Sequence, residues 1–370
     1  TGDLKKFVRV EALVREAARI VPGLVPAAEA LAAEAELDQK DRSGLEIAQG
    51  IFLAHVLANP ATGMHLCHAM LLPRREALER MGDYQRSGKV ELATATVERQ
   101  GRAAVVTLRN PRYLNAEDAT TLDDAEIATD LANLDPQSVV AVLRGGVVEH
   151  AKYRGRRIFS AGINLTHLYR GKIPYLFYIQ RDMGFVNKIF RGVAREDVSP
   201  DELSGGTIEK PWIAQLDAFA IGGGCQLLLA MDYIVAARDA YMTLPARKEG
   251  IIPGAANLRL TRFVGDRIAR QAILNDRRID CASPEGRLIC DEIAAPEEMD
   301  AAVERAIAGL ADSGVVSAAG NRRALRVAEE PLDLFRRYMA VYCREQAYCH
   351  FSPALIANLE RHWNAAQRRL

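Results

Sequence analysis

Three textures of apolar and polar positions succeed one another along the chain. Up to about residue 88, apolar residues recur three and four apart, as at Ile47, Phe52, Leu53, Val56 and Leu57, in a background of Ala, Leu and Glu. That spacing predicts amphipathic helices. From Val90 the apolar residues gather into short β-type runs at 90–97, 103–108, 139–143, 212–216 and 233–236, which predict strands. Helical segments at 116–134 and 175–195 alternate with them, so the middle of the chain is α/β. Residues 198–206, with Ser, Pro and two Gly, predict a turn ahead of the strand at Trp212. From about Ala256 the helical pattern returns and runs to Leu370. The chain therefore divides into a helical N-terminal domain (1–88), an α/β core (89–292) and a helical C-terminal region (293–370).

Composition narrows the function classes. A chain of 370 residues can bury a substantial core. Its 48 Lys and Arg balance 48 Asp and Glu, leaving no bulk field to hold a polyanion, so nucleic acid is not an expected partner. The longest apolar stretches, such as 227–231, are interrupted by charge well short of a bilayer's thickness, and no membrane span is expected. Thr1 is followed by Asp3, Lys5 and Lys6, with no charged-then-apolar leader, and six cysteines lie scattered without close pairing. Both features suit reduced thiols and a cytoplasmic protein. The Cys/His clusters at His65, Cys67 and His68 and at Cys349 and His350 lack zinc-type spacing, so they read as helix packing and no metal is expected. Charges in the terminal helices, Glu304 with Arg305 and Arg322 with Arg323, read as solvated faces.

Candidate chemistry sits in two motifs, each after an expected strand. One is Phe159-Ser160-Ala161-Gly162-Ile163-Asn164-Leu165; the other is Ala218-Phe219-Ala220-Ile221-Gly222-Gly223-Gly224-Cys225-Gln226. Three glycines ahead of an apolar helical run let a ligand approach main-chain N–H groups, although a close helix–strand crossing or a plain turn explains such a run as well. The pair says more. Two loops can each aim one N–H at the same carbonyl oxygen, an arrangement worth roughly 3–4 kcal/mol per donor to an enolate.

The ordered motifs SAGINL, AFAIGGGCQLLLAMDYIVAA and GIIPGAANLRLTRFVG, spanning about residues 90–292, resemble the crotonase superfamily of acyl-CoA enzymes. The preceding RNPRYLNAEDATTL resembles that family's first CoA-contacting loop. The resemblance implies an α/β fold of ββα turns in a spiral, with C-terminal helices joining subunits into homo-trimers or hexamers. It also implies an oxyanion hole made by the N–H groups of Ile163 and Gly223, flanked by Gly222 and Gly224. CoA would lie against 112–115 and 161–164, with Arg112, Ala161 and Asn164 among its contacts.

Departures from the family pattern bear on the reaction. Hydratases of this family carry a carboxylate directly after GGGC and another following a Pro shortly before IPG; the matching positions here are Gln226 and Ala246, neither of which exchanges a proton. Glu249, three residues on, is a minor candidate if the local alignment shifts. Water addition is disfavoured. The added helical N-terminus, GGGCQ and the insert at 169–195 are similar to one branch, the cofactor-independent arylacetyl-CoA dioxygenases of vancomycin-type antibiotic biosynthesis. That likeness implies oxidation of 3,5-dihydroxyphenylacetyl-CoA by O2 to 3,5-dihydroxyphenylglyoxylate and free CoA, en route to dihydroxyphenylglycine. No metal or organic cofactor is expected; acyl-CoA and O2 are the substrates, and the substrate carbanion is the reductant.

An aryl diol needs a few placed polar partners. Gln226 donates and accepts without adding charge beside an enolate, or else caps the helix after the glycines. Arg181 binds a phenol oxygen or a thioester-side polar group, or pairs at the surface with Asp182 or another carboxylate. Glu117 holds a ring hydroxyl or, if desolvated, takes the α-proton; a place in the first turn of a helix is the alternative. Ile221, Leu227, Leu228 and Phe185 are read first as core, and otherwise as a pocket for O2. Two competing functions stay open at this point: a hydratase, isomerase or thioesterase on another acyl-CoA, and a non-catalytic acyl-CoA-binding scaffold.

Overall fold

A computed structural model describes residues 1–153, 155–312 and 314–368. The first texture folds into α1 (Val10–Ile20), α2 (Ala28–Ala35), α3 (Ile47–Ala58), α4 (Pro60–Leu71) and α5 (Arg75–Ser87). Helix α4 starts on Pro60, where a missing N–H costs nothing, and the Asn59 side chain accepts from the amides of Ala61 and Thr62. The run expected as one strand over 90–97 is a hairpin of β1 (Lys89–Glu91) and β2 (Ala95–Gln100), with Val90 opposite Val97. Its turn holds neither Gly nor Pro. It is fixed by Asp124, whose carboxylate accepts from the Thr94 N–H (2.7 Å) and hydroxyl (2.9 Å), a contact across thirty residues that local pattern does not carry.

The middle of the chain continues with β3 (Ala103–Leu108), α6 (Leu122–Leu134), β4 (Val140–Gly145), α7 (Leu165–Tyr169), α8 (Leu176–Gln180) and α9 (Asn187–Arg191). It then adds β5 (Trp212–Leu216), β6 (Phe219–Ile221), α10 (Gly223–Leu228), β7 (Tyr233–Ala237), β8 (Tyr241–Thr243), α11 (Ala246–Glu249) and α12 (Ala256–Asn275), the last interrupted at Gly265. A seven-stranded sheet runs β1-β2-β3-β4-β5-β7, closed by β10 (Glu292–Ala294), and is parallel from β3 onward. A small sheet pairs β6 with β8, and β8 with β9 (Ile279–Asp280). Each of β5 and β7 thus turns a short corner into a strand of the small sheet before its helix, which is the ββα repeat. β9 and β10 correct the expectation that everything after Ala256 is helical: at two and three residues, flanked by charge, they are too short to show a period.

The chain ends in α13 (Met299–Asp312), α14 (Val315–Glu329), α15 (Leu332–His350) and α16 (Pro353–Trp363). The two helical ends meet. Helix α15 lies along α3 so closely that a methyl group on Gly50 would reach 2.5 Å from Ala347 Cβ. One continuous core runs from Val10 and Leu53 through Trp212 to Phe335 and Leu355. Among the described residues no helix is long and apolar enough to cross a membrane, and no group of three or more Cys, His, Asp or Glu is arranged around a metal position. His65 and His68 share a face of α4 and stack against Phe7 at 4.7 and 4.1 Å.

Arg322 corrects the reading of the terminal charges as solvated. It is buried, donating to Glu209 at 3.0 Å, to the Lys210, Ile189 and Phe190 carbonyls at 2.7–2.8 Å, and to Asp232. Nearby Glu330, fully buried, accepts Arg259 at both oxygens (2.8 Å each) and also meets Arg191 and Arg262. Burial alone would raise the Glu330 pKa, but the three guanidinium groups hold it at about 2. Arg322→Ala, which leaves Glu209 and the carbonyls short of a donor, is expected to lower the unfolding free energy by about 3–5 kcal/mol in a urea titration. Because Glu330 is depressed in the fold, its stabilisation is present above the ordinary carboxylate pKa and is lost as pH falls toward 2. The urea midpoint of the parent protein is therefore expected to drop as pH falls from the ordinary glutamate value of 4.5 toward about 2, and less so in Glu330→Gln.

Candidate active site

The two glycine-bearing loops are locked together before either can bind anything. Ser160 bridges Ala220 in parallel register, its carbonyl accepts from the Ile221 N–H (3.1 Å), and its hydroxyl accepts from the Gly162 N–H (3.0 Å). Gly162 has φ +82°, and a methyl group there would sit 2.5 Å from the Ile221 carbonyl and 3.1 Å from the Gly223 nitrogen, so only glycine allows the loops this approach. On the other side, the Glu117 N–H donates to the Gly162 carbonyl (2.7 Å) and the Asn164 N–H to the Glu117 carbonyl (2.8 Å). In that parallel bridge the N–H of Ile163 faces away from Glu117. The N–H of Gly223, first residue of α10, has no intrahelical partner. Neither amide has an acceptor among the described residues, and both residues line one hollow.

Behind these amides stands Arg181, which opens a π-helical segment (Arg181–Val186) between α8 and α9. All five of its N–H groups are taken. Nε and Nη2 clamp the two oxygens of Glu117 at 2.6 and 2.9 Å. Nη1 reaches Asp182 (2.9 Å) and the Gln226 side-chain oxygen (2.8 Å), and Nη2 also reaches the Gly223 carbonyl (2.8 Å). Burial opposes its charge, but Glu117 foremost and then Asp182 keep its pKa above the ordinary value. Since the oxygen of Gln226 is turned to Arg181, its NH2 is left as a neutral donor on the pocket side.

Two hollows meet at the amides. The inner one is lined by Glu117, Ile163, Arg181, Gly222, Gly223, Gln226 and Glu249, with apolar walls from Phe177, Leu244, Ile251 and Ile252 and phenols from Tyr178 and Tyr342. At about 30 Å³ it is far tighter than the roughly 150 Å³ cavity that accepts benzene in another protein, so a ring enters only by moving these side chains outward. The outer hollow is a groove of about 510 Å³ along Arg112, Tyr113, Ala161, Asn164, Lys248, His362 and Trp363. Ile163, Pro245 and Glu249 line both. Burial, then the charge of Asp276, pushes the Glu249 pKa up to about 8.

The sequence-derived candidates therefore fall into an inner set (Ile163, Gly222, Gly223, Gln226, Glu117, Arg181) and an outer set (Arg112, Ala161, Asn164). One expectation needs correction. Gly224 lines neither hollow; it packs on Ser160, whose Cβ would be 2.8 Å from an added methyl group. The Asn164 side chain is buried and spent, accepting from the His167 N–H (3.1 Å) and donating to Asp118 (3.1 Å), so only its main chain is offered to the groove. Gln226 is not a helix cap, Glu117 lies outside any helix, and Arg181 is buried rather than paired at the surface. Phe185, Leu227 and Leu228 belong to the core. Sequence reasoning missed Tyr342, which α15 brings in from far along the chain, and the outer-groove residues His362 and Trp363 of α16. Nothing in their local pattern marks them.

The family model described as enoyl-CoA hydratase/isomerase matches residues 98–332. A (3,5-dihydroxyphenyl)acetyl-CoA 1,2-dioxygenase of Amycolatopsis orientalis is 50% identical over 348 residues, covering 94% of this chain and 79% of that protein. A probable enoyl-CoA hydratase of Rhizobium meliloti is 29% identical over 211 residues, 56% of this chain and 70% of that protein. Among solved structures, an enoyl-CoA hydratase from Mycobacterium avium subsp. paratuberculosis superposes with a TM-score of 0.60 at 21% identity, over 73% of this chain and 98% of that one, a likeness of fold. With its ββα repeat, its two interlocked glycine loops and a family match across most of its length, this chain belongs to the enoyl-CoA hydratase/isomerase, or crotonase, family.

Proposed function

We propose that this chain oxidises 3,5-dihydroxyphenylacetyl-CoA with O2 to 3,5-dihydroxyphenylglyoxylate and free CoA, without a metal or organic cofactor, in the supply of dihydroxyphenylglycine for antibiotic biosynthesis. The observation that carries the reading is the extent of likeness to the Amycolatopsis dioxygenase: it covers 94% of the chain and so takes in the helical ends, whereas the sequence likeness to the Rhizobium hydratase covers 56%. The residues present also fit. Gln226 and Ala246 occupy the positions where a hydratase of the family would carry its carboxylates, while Arg181, Glu117 and Gln226 form a polar wall suited to a ring hydroxyl.

In this reading CoA lies in the outer groove, near Arg112 and the main chain of Ala161 and Asn164. The thioester oxygen sits between the Ile163 and Gly223 amides, and the ring enters the inner pocket. Loss of the benzylic proton gives an enolate spread over thioester and ring. That carbanion passes an electron to O2, and the radicals combine to a peroxide on the α-carbon. Attack of the peroxide on the thioester carbonyl expels CoA, and O–O cleavage with loss of the second α-proton yields the keto acid. The protein contributes orientation, charge stabilisation and exclusion of water. The same reading takes the chain as three parts (1–88, 89–292 and 293–370) in a cytoplasmic homo-trimer or hexamer.

The purified protein, treated with chelator, is expected to take up one O2 per free thiol released when given 3,5-dihydroxyphenylacetyl-CoA in an oxygen electrode. Thiol release without O2 uptake would instead make it a thioesterase. Gln226→Leu, which removes the neutral donor but leaves the Arg181–Glu117 clamp, is expected to lower kcat about tenfold, the worth of one hydrogen bond of roughly 1.4 kcal/mol.

A further inference from the structure

The reaction needs a group to take the α-proton, and most polar groups around the inner pocket are unavailable. Both oxygens of Glu117 are clamped by Arg181; one oxygen of Asp182 lies on the same guanidinium, and the other packs against Gly254, which lines neither hollow. Gln226 and Ala246 do not titrate. Tyr178 and Tyr342 have their pKa values raised by burial above all, which makes them donors.

We propose that Glu249 is the general base that removes the α-proton and then returns it to the departing CoA sulfur. This rests on the dioxygenase reading above. Glu249 closes the short helix α11, its residue is 8% exposed, and its carboxylate has neither a hydrogen bond nor a cation partner among the described residues. It lines both the inner pocket and the CoA groove, where the α-carbon and the sulfur of one thioester would lie. A Cβ built on Gly222, the residue before the Gly223 amide, would be 3.6 and 3.7 Å from the two Glu249 oxygens and 4.0 Å from Gly162 Cα. The carboxylate therefore stands beside the turn that leads into the Gly223 amide, on the wall that the two hollows share, where it faces an α-carbon held between them.

The groups facing Glu249 explain why it can take a proton. Asp276, at the end of α12, is the charge that acts on it, and Asp276 is itself paired with Lys248 at 3.0 Å. Arg247 also points to Asp276, at 3.7 Å. Tyr178 comes from α8 and Tyr342 from α15; Arg181 and Glu117 satisfy each other across the pocket, and His362 of α16 lines the groove beyond. Burial dominates, raising the pKa to about 8, close to the value that makes a carboxylate an effective base near neutrality.

The steps balance. The Glu249 carboxylate takes one α-proton, and the C–H electrons enter the enolate held by Ile163 and Gly223. O2 becomes the peroxide on the α-carbon, and its attack on the carbonyl breaks the C–S bond. The thiolate receives the proton from Glu249. The freed carboxylate takes the second α-proton as the O–O bond breaks, so four electrons from the α-carbon reduce both oxygen atoms.

Exchange of the α-protons of 3,5-dihydroxyphenylacetyl-CoA in anaerobic D2O, followed by mass spectrometry, tests the base without oxygen. The wild type is expected to exchange with a rate that rises with pH around a midpoint of about 8. Glu249→Gln, of equal size, is expected to lower exchange at least about a hundredfold and flatten the profile, with thioester Kd within about twofold. Exchange by Glu249→Gln at the wild-type rate, with the profile intact, would overturn the assignment. Should that variant not fold, Glu249→Asp is expected to move the midpoint and lower the plateau, and an unchanged profile would count against the base. Wild-type exchange without aerobic O2 uptake would sink the dioxygenase reading while still deciding the role of Glu249.

Discussion

One buried guanidinium organises this site. Arg181 has five N–H groups and five acceptors, drawn from the Glu117 segment, from its neighbour Asp182 and from both the main chain and the side chain of the α10 turn. A buried charge is tolerated only when its donors are met, so the pieces that meet them are held in place by the cost of leaving any one unmade. The Glu117 segment in turn fixes Ile163 through the parallel bridge, and the Gly223 carbonyl fixes the amide that opens α10. The segments that carry both open amides thus hang on the same side chain.

Two carboxyls share the inner pocket in opposite environments. Glu117 is paired with a guanidinium fork; Glu249 faces apolar walls and a second carboxylate, and its charged form is penalised. The same fold can therefore keep one carboxylate as a fixed polar contact and leave the other to exchange protons. Such divergence of paired groups is the usual mark of divided acid–base and binding roles.

The helical ends are part of the site's construction. Helix α15 packs along α3 and contributes Tyr342 to the inner pocket, while α16 contributes His362 and Trp363 to the groove. Charged anchors tie these helices to the core. Arg322 of α14 reaches the segment before β5, and Glu330 draws arginines from α9 and α12. A hydratase-like core without these ends would lack part of the wall around the ring, which is why a likeness confined to the core says less about substrate than one that includes them.

Much of this was legible in the sequence, because it is local. Strands β3, β5 and β7 announce themselves as buried runs, and two glycine motifs at strand ends report main-chain amides open to a ligand. Gln226 and Ala246 mark a departure from proton exchange at two positions by residue type alone. Other features required the fold. The β1–β2 turn is set by Asp124 from α6, Arg322 is buried by partners ninety or more residues away, and Tyr342 joins the pocket from α15. Glu249 shows the division most clearly: its sequence neighbours, Lys248 and Gly250, suggest an exposed turn, yet tertiary packing removes it from water and gives it no cation. Residue type and spacing determine which groups the chain can offer. Desolvation and pairing depend on what long-range packing brings alongside, and those two terms decide which carboxylate is a contact and which is a base.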